Sequence, residues 1–114
     1  MKSDILFITT PTFDKAYKRL RKRYASLPDD LFRLRDELSV NQEIGISLGG
    51  GFRKIRLAIK SKGRGKSGGV RVISLHLLSD ATNKQIIFSL IYDKSEYPSV
   101  SEQQIRDSIK GIEP

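Results

Sequence analysis

Cysteine is missing from this 114-residue sequence, which excludes disulfide bonds, thiolate nucleophiles and cysteine zinc sites. Long apolar runs are missing too. None approaches the roughly 18 residues of a membrane-spanning helix, and the four apolar residues Ile5–Ile8 are too few for a signal peptide. These absences favour a cytoplasmic protein without a membrane partner. Chemistry is left to Lys, Arg, Tyr, carboxylates or the one histidine, His76.

Metal-ligand patterns are also absent. The carboxylates are scattered, without H-x-x-x-H or D-x-D spacing, so the sequence predicts no metal site and no cofactor. His76 lies in a predicted strand, where a structural role is favoured over catalysis. Gly65-Lys66-Ser67 resembles the end of a phosphate-binding P-loop. However, Lys60 stands where that loop needs its first glycine, and a strand follows instead of a helix, which excludes the motif.

Acidic residues are lacking throughout the window from Ile44 to Ser79. Within that window, the segment Phe52–Arg71 carries eight Lys and Arg residues, while the rest of the chain has 13 basic and 13 acidic residues. The whole net charge of +8 therefore comes from one segment. Such a concentration of positive charge predicts a polyanionic ligand.

This basic segment has the alternation of a β-strand. The residues expected on the core face are Arg53, Ile55, Leu57 and Ile59, and those expected on the other face are Phe52, Lys54, Arg56, Ala58 and Lys60. A glycine-rich connection, Lys60–Gly69, leads to a second strand, Val70–Leu78. Pairing of the two strands would bring Arg71 close to Lys54 and Arg56, although sequence alone leaves the register open.

The N-terminal part reads as a short strand followed by two helices. Ile5–Ile8 predicts the strand, and Thr12 is expected to cap a helix with apolar residues at helical spacing. Its exposed basic residues include Lys18, Arg19 and Lys22, which either contact RNA or form a solvated surface. Ser26–Asp29 begins the second helix.

The remaining elements complete one domain over residues 1–114. Gly45 and the triple glycine Gly49–Gly51 mark a loop into the basic strand, where they either make a plain turn or permit close approach to a ligand. Gln85–Tyr92 is apolar on both faces, as expected for a central strand. Ser101 with Gln104 predicts the capping box of a final helix that includes Ile105, Ile109 and Ile112.

The predicted order is therefore βααβββα, an α+β fold. We expect an antiparallel-rich twisted sheet with the N-terminal helical hairpin on one face and a short C-terminal helix.

Together these motifs resemble the RelE/HigB-type toxins of bacterial type II toxin-antitoxin modules. The matching motifs are G-G-x-R-K-I-R at residues 50–56, a Gly-Lys-rich loop at 63–66, G-G-x-R-V-I at 68–73, I-Y-x-K at 91–94 and T-P-x-F at 10–13. The resemblance covers nearly the whole chain. It implies a RelE-like fold and a ribosome-dependent, metal-independent endoribonuclease that cleaves mRNA, with the ribosome and a cognate antitoxin as partners.

The resemblance also implies residue roles. Lys54, Arg56 and Arg71 match positions that bind the phosphate and stabilise the transition state, and Tyr92 or Lys94 is the candidate for proton transfer. Neighbouring cations are a physical reason to expect a lowered pKa for that residue. The candidates for RNA or ribosome contact are Arg53, Lys60, Lys62, Arg64, Lys66, Lys18, Arg19 and Lys22.

Several alternatives stay open. Some relatives carry an arginine where Ser95 stands, and a histidine-containing C-terminal cluster of other relatives is absent, so the general acid is unassigned. Tyr92 could be a half-buried residue at a strand end, and the three cations could bind RNA without catalysing its cleavage. The protein could also be a non-enzymatic nucleic-acid-binding module, or an interaction protein whose basic face receives an acidic partner.

Overall fold

The fold is built on one mixed β-sheet. The computed structural model describes residues 4–62, 69–78 and 83–110. Its elements are β1 (Asp4–Thr9), α1 (Pro11–Arg23), α2 (Leu27–Val40), β2 (Ile46–Gly49), β3 (Phe52–Leu57), a 3₁₀ turn (Lys60–Lys62), β4 (Val70–Leu78), β5 (Asn83–Asp93) and α3 (Glu102–Asp107). Across the sheet the described strands run β1-β5-β4-β3-β2, and only the β1–β5 pair is parallel. The predicted α+β class is confirmed.

Helices α1 and α2 cover one face of the sheet, as predicted. Apolar side chains from both helices share a core with the row Ile55, Val72 and Ile91, which are directly paired across β3, β4 and β5. Phe13 of α1 stacks on Phe88 of β5 with the ring centroids 5.8 Å apart. Because side chains alternate along each strand, every residue next to this row points to the opposite face of the sheet.

Strand β2 corrects the sequence interpretation, which assigned these residues to a loop. Ile46–Gly49 pairs with β3, and the connection is the two-residue turn Gly50-Gly51, in which both φ angles are positive, +62° and +89°. Tight hairpin turns of this kind require positive φ, which glycine adopts without strain. The triple glycine therefore builds a hairpin, and the order of elements becomes βααββββα.

Helix α2 begins where expected, whereas α1 begins at Pro11, before the predicted cap Thr12, and the capping contacts of both helices differ from the prediction. The N-cap of α1 is Thr10, not Thr12: the Thr10 hydroxyl accepts a hydrogen bond from the Phe13 amide at 3.0 Å, and Pro11 occupies the first turn. Ser26 precedes α2, yet its hydroxyl donates to the Asp30 carboxylate at 2.6 Å instead of capping the helix. The capping box of Ser101 and Gln104 before α3 is confirmed.

Strand β3 ends at Leu57, three residues earlier than predicted, because the chain turns toward the buried carboxylate of Asp30. That carboxylate accepts from the Lys60 amide at 3.2 Å, from Ser26 Oγ and from the Arg33 guanidinium at 3.2 Å. The Ser61 amide donates to Ser26 Oγ at 2.8 Å. The start of α2 thus fixes the chain just before the glycine-rich connection, whose residues 63–68 lie outside the described ranges.

The C-terminal helix is shorter than predicted. It ends at Asp107, Ile109 follows it, and Ile112 is outside the described residues. Ile105 of α3 shares a cleft with Leu48 and Phe52. Since Phe52 alternates with the core residues of β3, α3 borders the sheet face opposite α1 and α2. No helix in the described ranges combines the length and apolar character needed to cross a membrane.

We expect Asp30→Asn to lower the free energy of unfolding by about 1 to 3 kcal/mol, because a buried carboxylate with several donors is replaced by a group that accepts fewer hydrogen bonds. Asp29→Asn is the matched control, since Asp29 is exposed in the same helical turn and should change stability by less than about 0.5 kcal/mol. Urea unfolding followed by circular dichroism measures both. Equal effects of the two variants would contradict the anchoring role of Asp30.

Candidate active site

Three candidate residues form one row across the sheet. Arg56 of β3 pairs directly with Arg71 of β4, and Arg71 pairs directly with Tyr92 of β5. Directly paired residues point to the same face, with Cβ atoms about 4.5 to 5.5 Å apart. Lys54 lies on the same face one row away, opposite Ile73. The expected proximity of Arg71 to Lys54 and Arg56 is therefore confirmed, and the register that sequence left open is settled.

A cleft of about 680 Å³ gathers all five candidate catalytic residues: Lys54, Arg56, Arg71, Tyr92 and Lys94. It reaches around the edge of β3 to α2, where Arg33 and Glu37 also line it. Neither residue was predicted from the sequence, although their spacing of four residues places them on one helical face. Most of the charged side chains that line the cleft are therefore cationic, and Tyr92 and Glu37 add one phenol and one carboxylate.

Arg71 is a buried cation, with only 5% of its surface exposed. Its Nη1 donates to the Gly69 carbonyl at 3.3 Å, and no carboxylate of the described residues forms an ion pair with it. Burying a charge is costly unless an opposite charge compensates for it. Since Arg71 lines the cleft, an anion bound there would provide that compensation.

Tyr92 is also buried, with 4% of its surface exposed. Burial raises the pKa of its phenol above the ordinary value of 10, and the nearby Arg71 charge only partly opposes this effect. For Tyr92, the expectation of a lowered pKa is wrong, because loss of solvent outweighs the neighbouring cation. Its hydroxyl makes no hydrogen bond with the described residues. Tyr92 is therefore protonated at neutral pH and can donate a proton.

The candidate RNA-binding residues differ in whether their side chains are free or already hold part of the fold. The Arg53 guanidinium donates to the backbone carbonyls of Glu43, Ile44 and Gly45 at 2.7, 3.0 and 3.0 Å, so it holds the loop before β2. The Lys60 side chain is exposed. The Lys62 side chain lies outside the described part, as do Arg64 and Lys66 entirely. Contact of these residues with RNA stays a prediction.

The basic face of α1 is partly neutralised. Arg19 forms a two-pronged ion pair with Glu96, with N–O distances of 2.9 and 3.1 Å, and Arg23 lies 3.6 Å from the same carboxylate. Lys18 and Lys22 are exposed and form no ion pair within the described ranges. Arg19 thus has a structural partner that the sequence analysis did not identify, whereas the two lysines keep their charge available.

Asp93 anchors the strand end that carries Tyr92 and Lys94. It lies between them in sequence, so its side chain points to the opposite face, where it is fully buried. The carboxylate accepts from the Tyr24 hydroxyl and from the Ser95 amide and hydroxyl at 2.9 and 2.8 Å. A polar residue ending an apolar strand was the only sequence signal for this role.

The pKa of Asp93 reflects these partners. Burial alone would raise it, but the hydrogen bonds from Tyr24 and Ser95 and the charge of Arg23 outweigh burial, so the pKa lies below the ordinary value of 3.8. Asp93 is therefore a carboxylate at neutral pH. It ties the end of α1 to β5 directly behind the candidate site.

Metal ligands do not gather in the described ranges: no group of three or more His, Asp or Glu side chains is arranged to hold an ion. His76 bonds through Nε2 to Ser74 Oγ at 2.8 Å, and burial followed by the charge of Arg53 lowers its pKa. It does not line the candidate cleft or the other two cavities named in the text.

In a comparison with protein families, no family model matches this sequence.

We expect Asp93→Asn to flatten the acid limb of the stability profile. The unfolded carboxyl has the higher pKa and binds protons first as pH falls, so Asp93 stabilises the fold above about pH 4, and this contribution is lost as pH falls through the folded-state pKa. Urea unfolding from about pH 6 to pH 2.5 measures the difference between variant and wild type. The control is Glu96→Gln, which removes a partly exposed carboxylate that pairs with Arg19 and Arg23. If the free energy of unfolding of Asp93→Asn fell with decreasing pH as steeply as that of the wild type, the lowered pKa of Asp93 would be contradicted.

Proposed function

We propose that this protein is a RelE/HigB-type toxin, a ribosome-dependent and metal-independent endoribonuclease that cleaves mRNA and is neutralised by a cognate antitoxin. The cross-strand row of Arg56, Arg71 and Tyr92 carries the proposal. It places two guanidinium groups and a protonated phenol on one face, within a cleft that also contains Lys54 and Lys94. The mixed five-stranded α+β fold is compatible with such toxins, and other proteins could share it.

The proposed reaction is attack of a ribose 2′-oxygen on the adjacent phosphorus. The 2′-O–P bond forms, the P–O5′ bond breaks, the 2′-hydroxyl loses a proton and the leaving 5′-oxygen gains one. Negative charge grows on the phosphate oxygens during this step. Arg71 and Arg56 are placed to stabilise that charge, and a guanidinium can do so through two parallel hydrogen bonds.

Proton transfer divides between the two remaining candidates. The raised pKa of Tyr92 keeps its phenol protonated, which suits a donor to the leaving 5′-oxygen better than a base. Lys94 lines the same cleft and is the remaining candidate to accept the 2′-hydroxyl proton, which it can do only as the neutral amine. We propose this division for the two roles that the sequence left interchangeable.

We expect Arg71→Lys to lower the rate of cleavage about a hundredfold to a thousandfold, because lysine cannot make the two parallel hydrogen bonds to the phosphate. The measurement is single-turnover cleavage of ribosome-bound mRNA at saturating protein, with EDTA and constant free magnesium as an arm expected to leave the wild-type rate unchanged. Arg106→Lys is the control, since Arg106 is exposed and outside the cleft.

Two results would count against this proposal. If Arg71→Lys cleaves at the wild-type rate once saturated, Arg71 only binds RNA. If the wild type binds ribosomes without cleaving mRNA, the protein is a non-enzymatic nucleic-acid-binding module. Circular dichroism of each variant verifies that the fold is retained, which is necessary because Arg71 is buried.

We expect Tyr92→Phe to lower the single-turnover rate by about a hundredfold or more, because phenylalanine has no proton to donate. Wild-type activity should not fall from about pH 7 to pH 9 through loss of this proton, since the pKa of the phenol is raised above 10. Tyr17→Phe in α1 is the control for loss of a hydroxyl. A rise of the wild-type rate with an apparent pKa near 8 that Tyr92→Phe abolishes would show instead that Tyr92 acts in its ionised form.

A further inference from the structure

A second cavity lies on the other side of Tyr92. It encloses about 310 Å³ between α1, the end of β5 and the chain from Tyr97 to Ser108, and Tyr92 lines both this cavity and the candidate cleft. Strand β1 pairs with β5 only as far as Phe88. The part of β5 beyond Phe88 therefore has no strand beside it on this edge, which leaves room for the cavity.

The lining has apolar and aromatic walls with a polar edge. Tyr92 and Val100 contribute to the walls together with Tyr97, whose ring is about half exposed. Gln104 and Asp107, which lie three residues apart on one side of α3, contribute the polar edge. A flat group with apolar faces and polar edges fits such a lining, and single-stranded RNA bases are commonly held by aromatic stacking and edge hydrogen bonds.

The polar edge offers both a donor and an acceptor. Gln104 Oε1 already accepts from the Ser101 amide at 2.7 Å, which leaves the two N–H groups of its amide for a ligand. Asp107 Oδ1 is bonded by Gln103 at 2.9 Å and lies 3.2 Å from Lys110, while Oδ2 has no partner among the described residues. Every base edge carries donors or acceptors that these two groups can pair with.

Hydrogen bonds hold the backbone of the aromatic wall in place. The Tyr97 amide donates to the Asp93 carbonyl at 3.0 Å, and the Asp93 carboxylate is itself held by Tyr24 and Ser95. The Ser108 side chain is buried at the cavity. A preformed wall reduces the ordering cost of binding. The backbone that carries the Tyr97 ring is therefore held in place next to the buried Tyr92.

We propose that this cavity binds the base of the nucleotide next to the phosphate held by Arg71, and so contributes to base preference. The proposal rests on the proposed function, because Arg71 and Tyr92 are neighbours across the sheet. In this arrangement, a nucleotide whose phosphate lies at Arg71 extends past the Tyr92 ring and places its base in the cavity that Tyr92 also lines. Tyr92 then touches the leaving oxygen on one side and the bound base on the other.

The first test uses the free protein and needs no ribosome. Adenosine, cytidine, guanosine and uridine 5′-monophosphates are titrated while NMR follows the Gln104 side-chain amide, Tyr97 and Arg71, with ribose 5-phosphate as the probe that lacks a base. We expect the nucleotides to shift all three signals and ribose 5-phosphate to shift Arg71 alone. Equal effects of both kinds of probe at Tyr97 and Gln104, or no effect there, would overturn the base site.

Substitutions then test the polar edge. Gln104→Glu keeps the helix-capping box, which accepts Glu or Gln at this position, and replaces the donating amide by a carboxylate. We expect the relative affinities of the four nucleotides to change by about tenfold. Gln85→Glu, the same change on β5 outside the cavity, should preserve their order. Tyr97→Ala should weaken all four about fivefold or more.

The same variants in ribosomal cleavage separate this proposal from the proposed function. A change in the bases flanking the cut sites with Gln104→Glu, but not with Gln85→Glu, supports the base site. An unchanged pattern in an active enzyme overturns the base site and leaves the endoribonuclease intact. If the wild type does not cleave, the endoribonuclease proposal fails, and the nucleotide titration alone decides whether the cavity binds bases.

Discussion

The burial of one row of side chains determines the arrangement of the candidate site. Ile55, Val72 and Ile91 are directly paired and packed beneath α1 and α2. Because side chains alternate, a slip of one residue in any of these strands would turn its apolar side chain outward and its polar neighbour inward. The hydrophobic core therefore fixes the register, and the register places Arg56, Arg71 and Tyr92 together on the other face.

Burial then gives this row its chemical character. Arg71 stays cationic when buried, as guanidinium does in proteins, and no carboxylate of the described residues forms an ion pair with it. The same removal from solvent raises the pKa of Tyr92. A permanent cation beside a neutral phenol is an arrangement that binds an anion and can donate a proton to it. In the proposed function, the excess charge of the surrounding segment attracts the RNA that carries such a phosphate.

Two buried carboxylates hold the ends of this arrangement. Asp30 fixes the chain after β3 through the Lys60 amide, and Asp93 fixes the end of β5 through Tyr24 and Ser95. Both connect the helical layer to a strand that carries candidate catalytic residues. The helices thus do more than cover the sheet, because their polar contacts locate the two segments that enter and leave the cationic row.

The sequence by itself determined the α+β class and the placement of most strands and helices, because alternation is a local property of the chain. Alternation and charge also predicted that Lys54, Arg56 and Arg71 lie close together, whereas Tyr92 and Lys94 were predicted from the family resemblance. The sequence did not show that Ile46–Gly49 forms a strand or that Thr10 caps α1, since both depend on short polar and glycine-rich stretches whose pairing is not encoded in periodicity. Nor did it give the direction of the Tyr92 pKa shift. That direction depends on how much solvent the surrounding elements remove, and only the tertiary structure decides how deeply a side chain is buried.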